Sequence, residues 1–404
     1  MSNPPLPFQD IFDAGGRGLQ HNGLRKANER AVLSIVAFNP GVSNAEISRL
    51  SGLAPQTVSA ILADVEKAGL ISRGQVLRGR RGQPATPIFL RPDGRYCLGC
   101  EIGWRHLQSV LINLHGEVQV ERQDVHDFPD ARTIVGRVGE HARALAETLA
   151  PEARGRLAGL GIAMPTYIWR TIEEVGADAE QVRLWQELDL TRALSAETGL
   201  EVTIYNDGNA ACWSELIATP RPRPSDVIYF LVSHFIAAGV IGQGTLWEGP
   251  SGNSANLGSM LIDARDDGPR VAHHVASLGA LADRLEAAGR PRPVGPYGAW
   301  DWDGFEPVLG EWLEAGAVAL ARVIFNTAVV IEAKVAVIDG AMPRPVVERL
   351  VERVVHHLGT LPSTSLGPPQ VMGGRLGPLA PAIGAAELPL YRRYLSRSLA
   401  DITG

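Results

Sequence analysis

Three groups of side chains in this sequence have the types and spacing for chemistry. Residues 78–84 read Arg78-Gly79-Arg80-Arg81-Gly82-Gln83-Pro84. Glycines let a backbone lie close to the floor of a narrow groove, and flanking arginines are drawn by the negative potential of A·T-rich minor grooves. The same run also suits a solvated basic loop. Earlier in the chain, Gln56, Thr57 and Ser59 offer amide and hydroxyl groups that match base edges and phosphates. Cys97 and Cys100 form a CxxC, but a structural zinc site takes about four ligands and no second Cys/His pair of suitable spacing accompanies them. They read as buried or half-buried thiols, and no metal is expected.

The elements that must position the first two groups are helical. From Leu24 to Phe38 apolar residues recur at helical spacing (Leu24, Ala27, Ala31, Val32, Ile35, Val36), and Asn39-Pro40-Gly41 stops the run. Ser43 or Asn44 can cap a short second helix burying Ile47 and Leu50, which ends at Gly52. Pro55 sits where the first turn of a third helix tolerates it, with Val58, Ile61, Leu62 and Val65 inward. Two helices around a Gly-containing turn make a helix-turn-helix, whose second helix would present Gln56, Thr57 and Ser59 to a major groove. A three-helix module for protein contacts has the same pattern. The stretch from Leu70 reads as a β-wing carrying Arg78, Arg80 and Arg81, which selects a winged helix-turn-helix that binds double-stranded DNA.

Charge supports the division. The 404-residue chain has a net charge of −6, yet Lys/Arg outnumber Asp/Glu ten to four between residues 24 and 91, so the remainder carries −12. A basic module is attached to an acidic body. Hydrophobic content of 45% and charged content of 20% fit a globular protein. Three cysteines fit a reducing compartment, the first residues lack a secretory pattern, and no apolar run approaches the roughly 18 residues of a membrane span, so a cytoplasmic location is expected.

From Tyr96 the pattern becomes strand, turn, strand, with turns near Gly103 and at His115-Gly116. A helix follows at roughly 131–149, then the strands LAGLGIAMP and EVTIYNDGNAA. A second series starts at DVIYFLVSHFIAAGVIGQG. Strands alternating with helices indicate α/β architecture.

Taken in order, GVSNAEISRLSGLAPQTVSAILADVEKAGLI, GRRGQPATP, GLGIAMP, YNDGNAA, GPSGNSANLG and GRLGPLAPAIGAAELPLYRR resemble the family of repressors, open-reading-frame proteins and sugar kinases known as ROK. The similarity runs from about Leu24 almost to the end. It implies a winged helix-turn-helix followed by a two-lobed actin/hexokinase-like (ribonuclease H-like) sugar-kinase domain. The expected layout is a flexible lead-in at 1–20, a DNA-binding domain at 21–91, lobes at 95–222 and 223–390, and a C-terminal helix or tail at 391–404.

Against family kinases the chain is altered. By resemblance Asp207, after Asn206, matches their base, although any carboxylate lining a sugar pocket can simply accept a hydroxyl. Their Asp-x-Gly-Gly-Thr-like phosphate loop is here Glu101-Ile102-Gly103-Trp104-Arg105, with Trp104 where a polyanion would approach. The second loop holds Phe235 and Ile236, and an adenosine-site Gly-Gly is reduced to Asp339-Gly340. The family zinc ligands are missing. His273 and His274 are adjacent without thiol partners, and adjacent helical residues point about 100° apart. Asn256 and Ser259 stand at a sugar-binding Glu and His, and His273 falls near a second Glu. Trp185 could stack on a sugar or belong to the core.

The expectation is a DNA-binding regulator of carbohydrate genes, a repressor, without enzymatic activity or cofactor. It would sense a sugar or polyol through Asn206, Asp207, Asn253, Asn256 and His273, as a homodimer or homotetramer. The rivals are an active sugar kinase with a DNA-binding module, and an architectural DNA-binding protein whose body only dimerises.

Overall fold

The computed structural model describes residues 21–75, 86–253, 255–265, 268–362 and 367–395. The lead-in 1–20 and the wing tip with Arg78, Arg80 and Arg81 lie outside them. Helix α1 (His21–Phe38) buries Val32, Leu33, Ile35 and Val36 and stops at Pro40-Gly41. Ser43 caps α2 (Asn44–Ser51) by a reciprocal pair: its hydroxyl accepts from the Glu46 N–H, and the Glu46 carboxylate accepts from the Ser43 N–H. Gly52, left-handed at φ 68°, turns the chain into α3 (Pro55–Lys67), whose Pro55 occupies the first turn. Strands β1 (Ile71–Arg73) and β2 (Ile88–Leu90) pair antiparallel as the stem of the wing. Leu24 and Leu50, expected inward, are 48% and 38% exposed. Each lies at the end of its helix's apolar stripe, beyond the Ile47, Val58 and Leu62 core.

The first lobe is a sheet ordered β5-β4-β3-β6-β7. Strands β3 (Tyr96–Ile102), β4 (His106–Asn113) and β5 (Val118–Val125) form an antiparallel meander, and β6 (Leu157–Met164) and β7 (Val202–Asn206) run parallel to β3. Helices α4 (Ile134–Glu147), α5 (Pro151–Arg154), α6 (Ala179–Glu187) and α7 (Leu190–Thr198) belong to this lobe, and α8 (Asp207–Ala218) leaves β7 directly.

The second lobe repeats the plan as β10-β9-β8-β13-β14. Its strands are β8 (Val227–Val232), β9 (Ile236–Gly242) and β10 (Thr245–Leu246), followed by a separate hairpin β11 (Leu261–Arg265) and β12 (Gly268–Val271). Helices α9 (His273–Ala276), α10 (Leu278–Ala287) and α11 (Val308–Ile331) precede β13 (Val335–Gly340), α12 (Arg344–Thr360) and β14 (Gln370–Gly373). Each lobe thus offers a hairpin turn to the space between them, at 103–105 and 233–235.

Two expectations change. Helix α11 is long and apolar enough to cross a membrane, with mean hydropathy 1.6, contrary to the reading that no such run exists. Its Trp312, Leu313, Leu320 and Ile324 are fully buried in the second lobe, so its composition is that of a central core helix. The expected lobe boundary at 390 is also displaced. Helix α13 (Ala380–Tyr394) leaves the second lobe and packs on α8, β3 and β6 of the first. A Cβ on Gly161 would lie 1.8 Å from the Ala385 carbonyl oxygen, and one on Gly384 1.8 Å from that of Ala210. These two glycines let α13 approach at backbone distance.

Candidate ligand cavity and nucleic-acid interface

Between the lobes lies a cavity of about 280 Å³. Asn206 and Asp207 reach it from the β7–α8 junction, and Asn253, Asn256 and His273 line it from the second lobe. The five residues proposed from sequence therefore share one space. Asn206 caps α8, its side-chain oxygen accepting from the Asn209 N–H at 3.1 Å while its amide donates to Thr166 at 3.3 Å. Asp207, the first residue of α8, accepts from the Gly208 N–H at 2.9 Å. Burial, and then the nearby charge of Glu101, push its carboxyl up to about 7. Near neutrality it can therefore donate or accept toward a hydroxyl.

Glu101 is itself buried and joined to His106 at 3.1 Å. Burial opposes charge on that imidazole, but the Glu101 carboxylate outweighs it and raises the His106 pKa. Across the cavity, His273 Nδ1 accepts from the Ile236 N–H at 3.0 Å, which leaves the ring proton on Nε2. Burial, with a smaller contribution from His274, drives its pKa down to about 4, so it is neutral.

Asn209 was not foreseen. It is buried, and its amide donates to the Gly252 carbonyl at 3.1 Å, tying α8 to a loop of the second lobe. Its place in YNDGNAA was the available signal. Trp185 is buried, with its indole N–H donated to Pro129 at 2.9 Å, and also borders an adjoining cavity of about 390 Å³.

The two hairpin turns meet through aromatic rings. Trp104 packs edge-on against Phe235 at 5.2 Å, and Phe235 against His273 at 5.7 Å. Two side chains fill the gap between the turns, and His273 occupies the Ile236 N–H that a phosphate loop would leave open. Asp339 is buried and accepts from the Gly340 and Gly377 N–H groups at 2.9 and 2.7 Å. Cys97 and Cys100 project from opposite faces of β3, because three residues along a strand reverse the side chain, and they enter different core clusters. Burial pushes both thiols up to about 12. Among the described residues no group of three or more His, Cys, Asp or Glu could hold a metal.

On α3, Gln56 and Thr57 are exposed and make no side-chain hydrogen bond among the described residues. Ser59 is also exposed but is engaged: its hydroxyl donates to the Pro55 carbonyl at 2.8 Å and accepts from Asn44 at 2.9 Å, locking α2 to α3.

Residues 97–275 match the ROK family and residues 25–72 the winged helix-turn-helix DNA-binding family. The chain carries a ROK-family domain behind a winged helix-turn-helix. It is 27% identical over 243 residues to the xylose repressor of Bacillus spizizenii (strain ATCC 23059 / NRRL B-14472 / W23), covering 59% of this chain and 62% of that one. The crystal structure of a ROK-family transcriptional regulator homologous to Escherichia coli Mlc superposes with a TM-score of 0.71 at 20% identity, covering 94% of this chain and 100% of that one. A ROK glucokinase from Streptomyces griseus, in complex with glucose and AMPPNP, gives 0.56 at 19% identity, covering 72% and 98%. The fold of the body is thus found in both a regulator and a kinase.

Proposed function

We propose that this chain is a DNA-binding transcriptional repressor of carbohydrate genes that senses a sugar in the cavity between its lobes and does not phosphorylate it. It acts in the cytoplasm as a homodimer or homotetramer. The observation that carries the reading is a continuous set of contacts from the cavity to the DNA-binding head. Asp207 opens α8, and Trp213 further along that helix packs edge-on against Tyr391 of α13 at 5.0 Å. Tyr391 lies 6.4 Å from Phe38 at the end of α1, and Arg221 and Arg223 lie over the Phe38 ring at 5.5 and 5.2 Å. A sugar that fits one closure state better than the other shifts α8 and, through α13, the head. Two heads must match half-sites about one DNA turn apart, so a small rotation lowers affinity.

Asn206, Asp207, Asn253, Asn256 and His273 are the ligand contacts in this account. The matched xylose repressor makes xylose the first sugar to test, with glucose beside it. A thermal-shift screen with and without Mg-ATP tests the sensor reading. Stabilisation by a sugar alone is expected, without sugar-dependent ADP release. ADP release would make the protein a kinase and overturn the reading. For DNA, Arg80→Ala with Arg81→Ala should weaken duplex binding and reduce the salt slope by about 0.9 per lost phosphate contact. Unchanged affinity and slope remove the wing from the account.

A further inference from the structure

Behind the Trp104–Phe235 pair lies a second cavity of about 350 Å³. Each lobe supplies it with a guanidinium: Arg105 from the β3–β4 turn and Arg292 from the segment after α10. Arg292 is engaged by Asp283 at 2.5 Å and Glu286 at 3.3 Å, both exposed. Arg105 donates to the Asp127 backbone carbonyl and pairs with no carboxylate among the described residues. His126, also in the lining, is committed on both nitrogens, to the Gly103 carbonyl at 2.9 Å and to Arg137 at 3.0 Å.

His234 is not committed. It is 6% exposed, lines this cavity and makes no side-chain hydrogen bond among the described residues. Burial, followed by the charges of Arg105 and Arg292 and opposed by that of Asp283, lowers its pKa to about 4. Both guanidinium groups therefore act on the same buried imidazole. A guanidinium from each lobe, that of Arg292 shared with two exposed carboxylates, and an imidazole with no hydrogen-bond partner among the described residues line one space and suit an anion held by charge-assisted hydrogen bonds.

We propose that this outer cavity is a second ligand site for a small anion, a phosphoryl group either free or carried on a small metabolite, gripped by Arg105 and Arg292 with His234 as the third contact. Because the arginines belong to different lobes, the bound anion favours the closure state that brings them together. The site does not depend on the sugar-sensing reading and fills even in a chain whose inner cavity binds no sugar.

Calorimetric titration of the full chain with inorganic phosphate, glucose 6-phosphate and glucose tests this. Both phosphate-bearing probes should bind, and Arg105→Ala or Arg292→Ala should weaken each by about tenfold or more, the usual loss for a hydrogen bond between charged groups. Tighter binding of glucose 6-phosphate than of phosphate identifies a carried group, and equal binding identifies the free ion. Thermal melts establish that the variants fold, and Arg292→Lys should keep part of the affinity because it keeps the charge but not the fork. Histidine NMR should show the His234 pKa rising with phosphate. No binding of either phosphate probe to the folded chain, or affinity unchanged in both alanine variants, overturns the proposal.

Discussion

The inner and outer cavities are both bordered by the same two hairpin turns and differ in their chemistry. Glu101, Glu174 and Asp207 line the inner one beside His273 and His274, while Arg105 and Arg292 line the outer beside Asp127. The sorting comes from the hairpin turns. Trp104 faces inward and the next residue, Arg105, outward, and on the other turn Phe235 faces inward while His234 lines the outer space. Both pairs sit in the bends between strands, where the chain reverses and adjacent side chains leave on different sides. An aromatic pair placed between two turns therefore does more than close a path for phosphate. It makes two compartments, one suited to the hydroxyls of a neutral ligand and one to an anion.

Breaking the support of both compartments should have the largest effect. Gly384→Val drives a side chain into the Ala210 backbone and lifts α13 off the first lobe, which supplies part of the lining of each cavity. A loss exceeding about 4 kcal/mol is expected, readable by chemical denaturation. Stability close to the unmodified chain would mean α13 is not the prop described here. Next comes the wall. Phe235→Ala removes the ring between Trp104 and His273 and should cost about 3 kcal/mol, toward the low end for a large-to-small core change because the site opens to solvent. It should also make sugar and phosphate compete in calorimetry, whereas the intact chain holds both at once, each altering the other's affinity through lobe closure.

The smallest effect sharpens the acidic side. Folded Asp207 keeps its proton up to about pH 7, while an unfolded aspartate loses it near 4, so stability falls as pH rises between these values. Asp207→Asn should melt higher than the unmodified chain at pH 8, by roughly 2–4 °C per kcal/mol relieved, and alike at pH 4. A higher melting point for the carboxylate at pH 8 would show that it is paired rather than desolvated.

What the sequence revealed follows the range of the interactions. The head was legible because its signals are local: Ser43 and Glu46 cap α2, Gly52 ends it and Pro55 opens α3, all within a few residues. The inner cavity was legible through the order of its motifs, which named Asn206, Asp207, Asn253, Asn256 and His273 before any geometry. Interactions between distant segments escaped. The Ser59–Asn44 bond, the Asn209 tie to Gly252 and the outer Arg105–His234–Arg292 set each depend on how separate elements pack. The return of α13 also escaped, although the small residues of AIGAAE were a trace of its close approach to α8 and β6.

The central claim is that the inner cavity and the DNA-binding head are coupled. Its most direct test is fluorescence anisotropy on a duplex selected by the protein from a random pool, with and without saturating concentrations of the sugar that stabilises it. The account predicts that sugar changes duplex affinity by at least about fivefold, the lower range for coupling between sites. Equal affinity with and without sugar, at concentrations that raise the melting temperature, would contradict it.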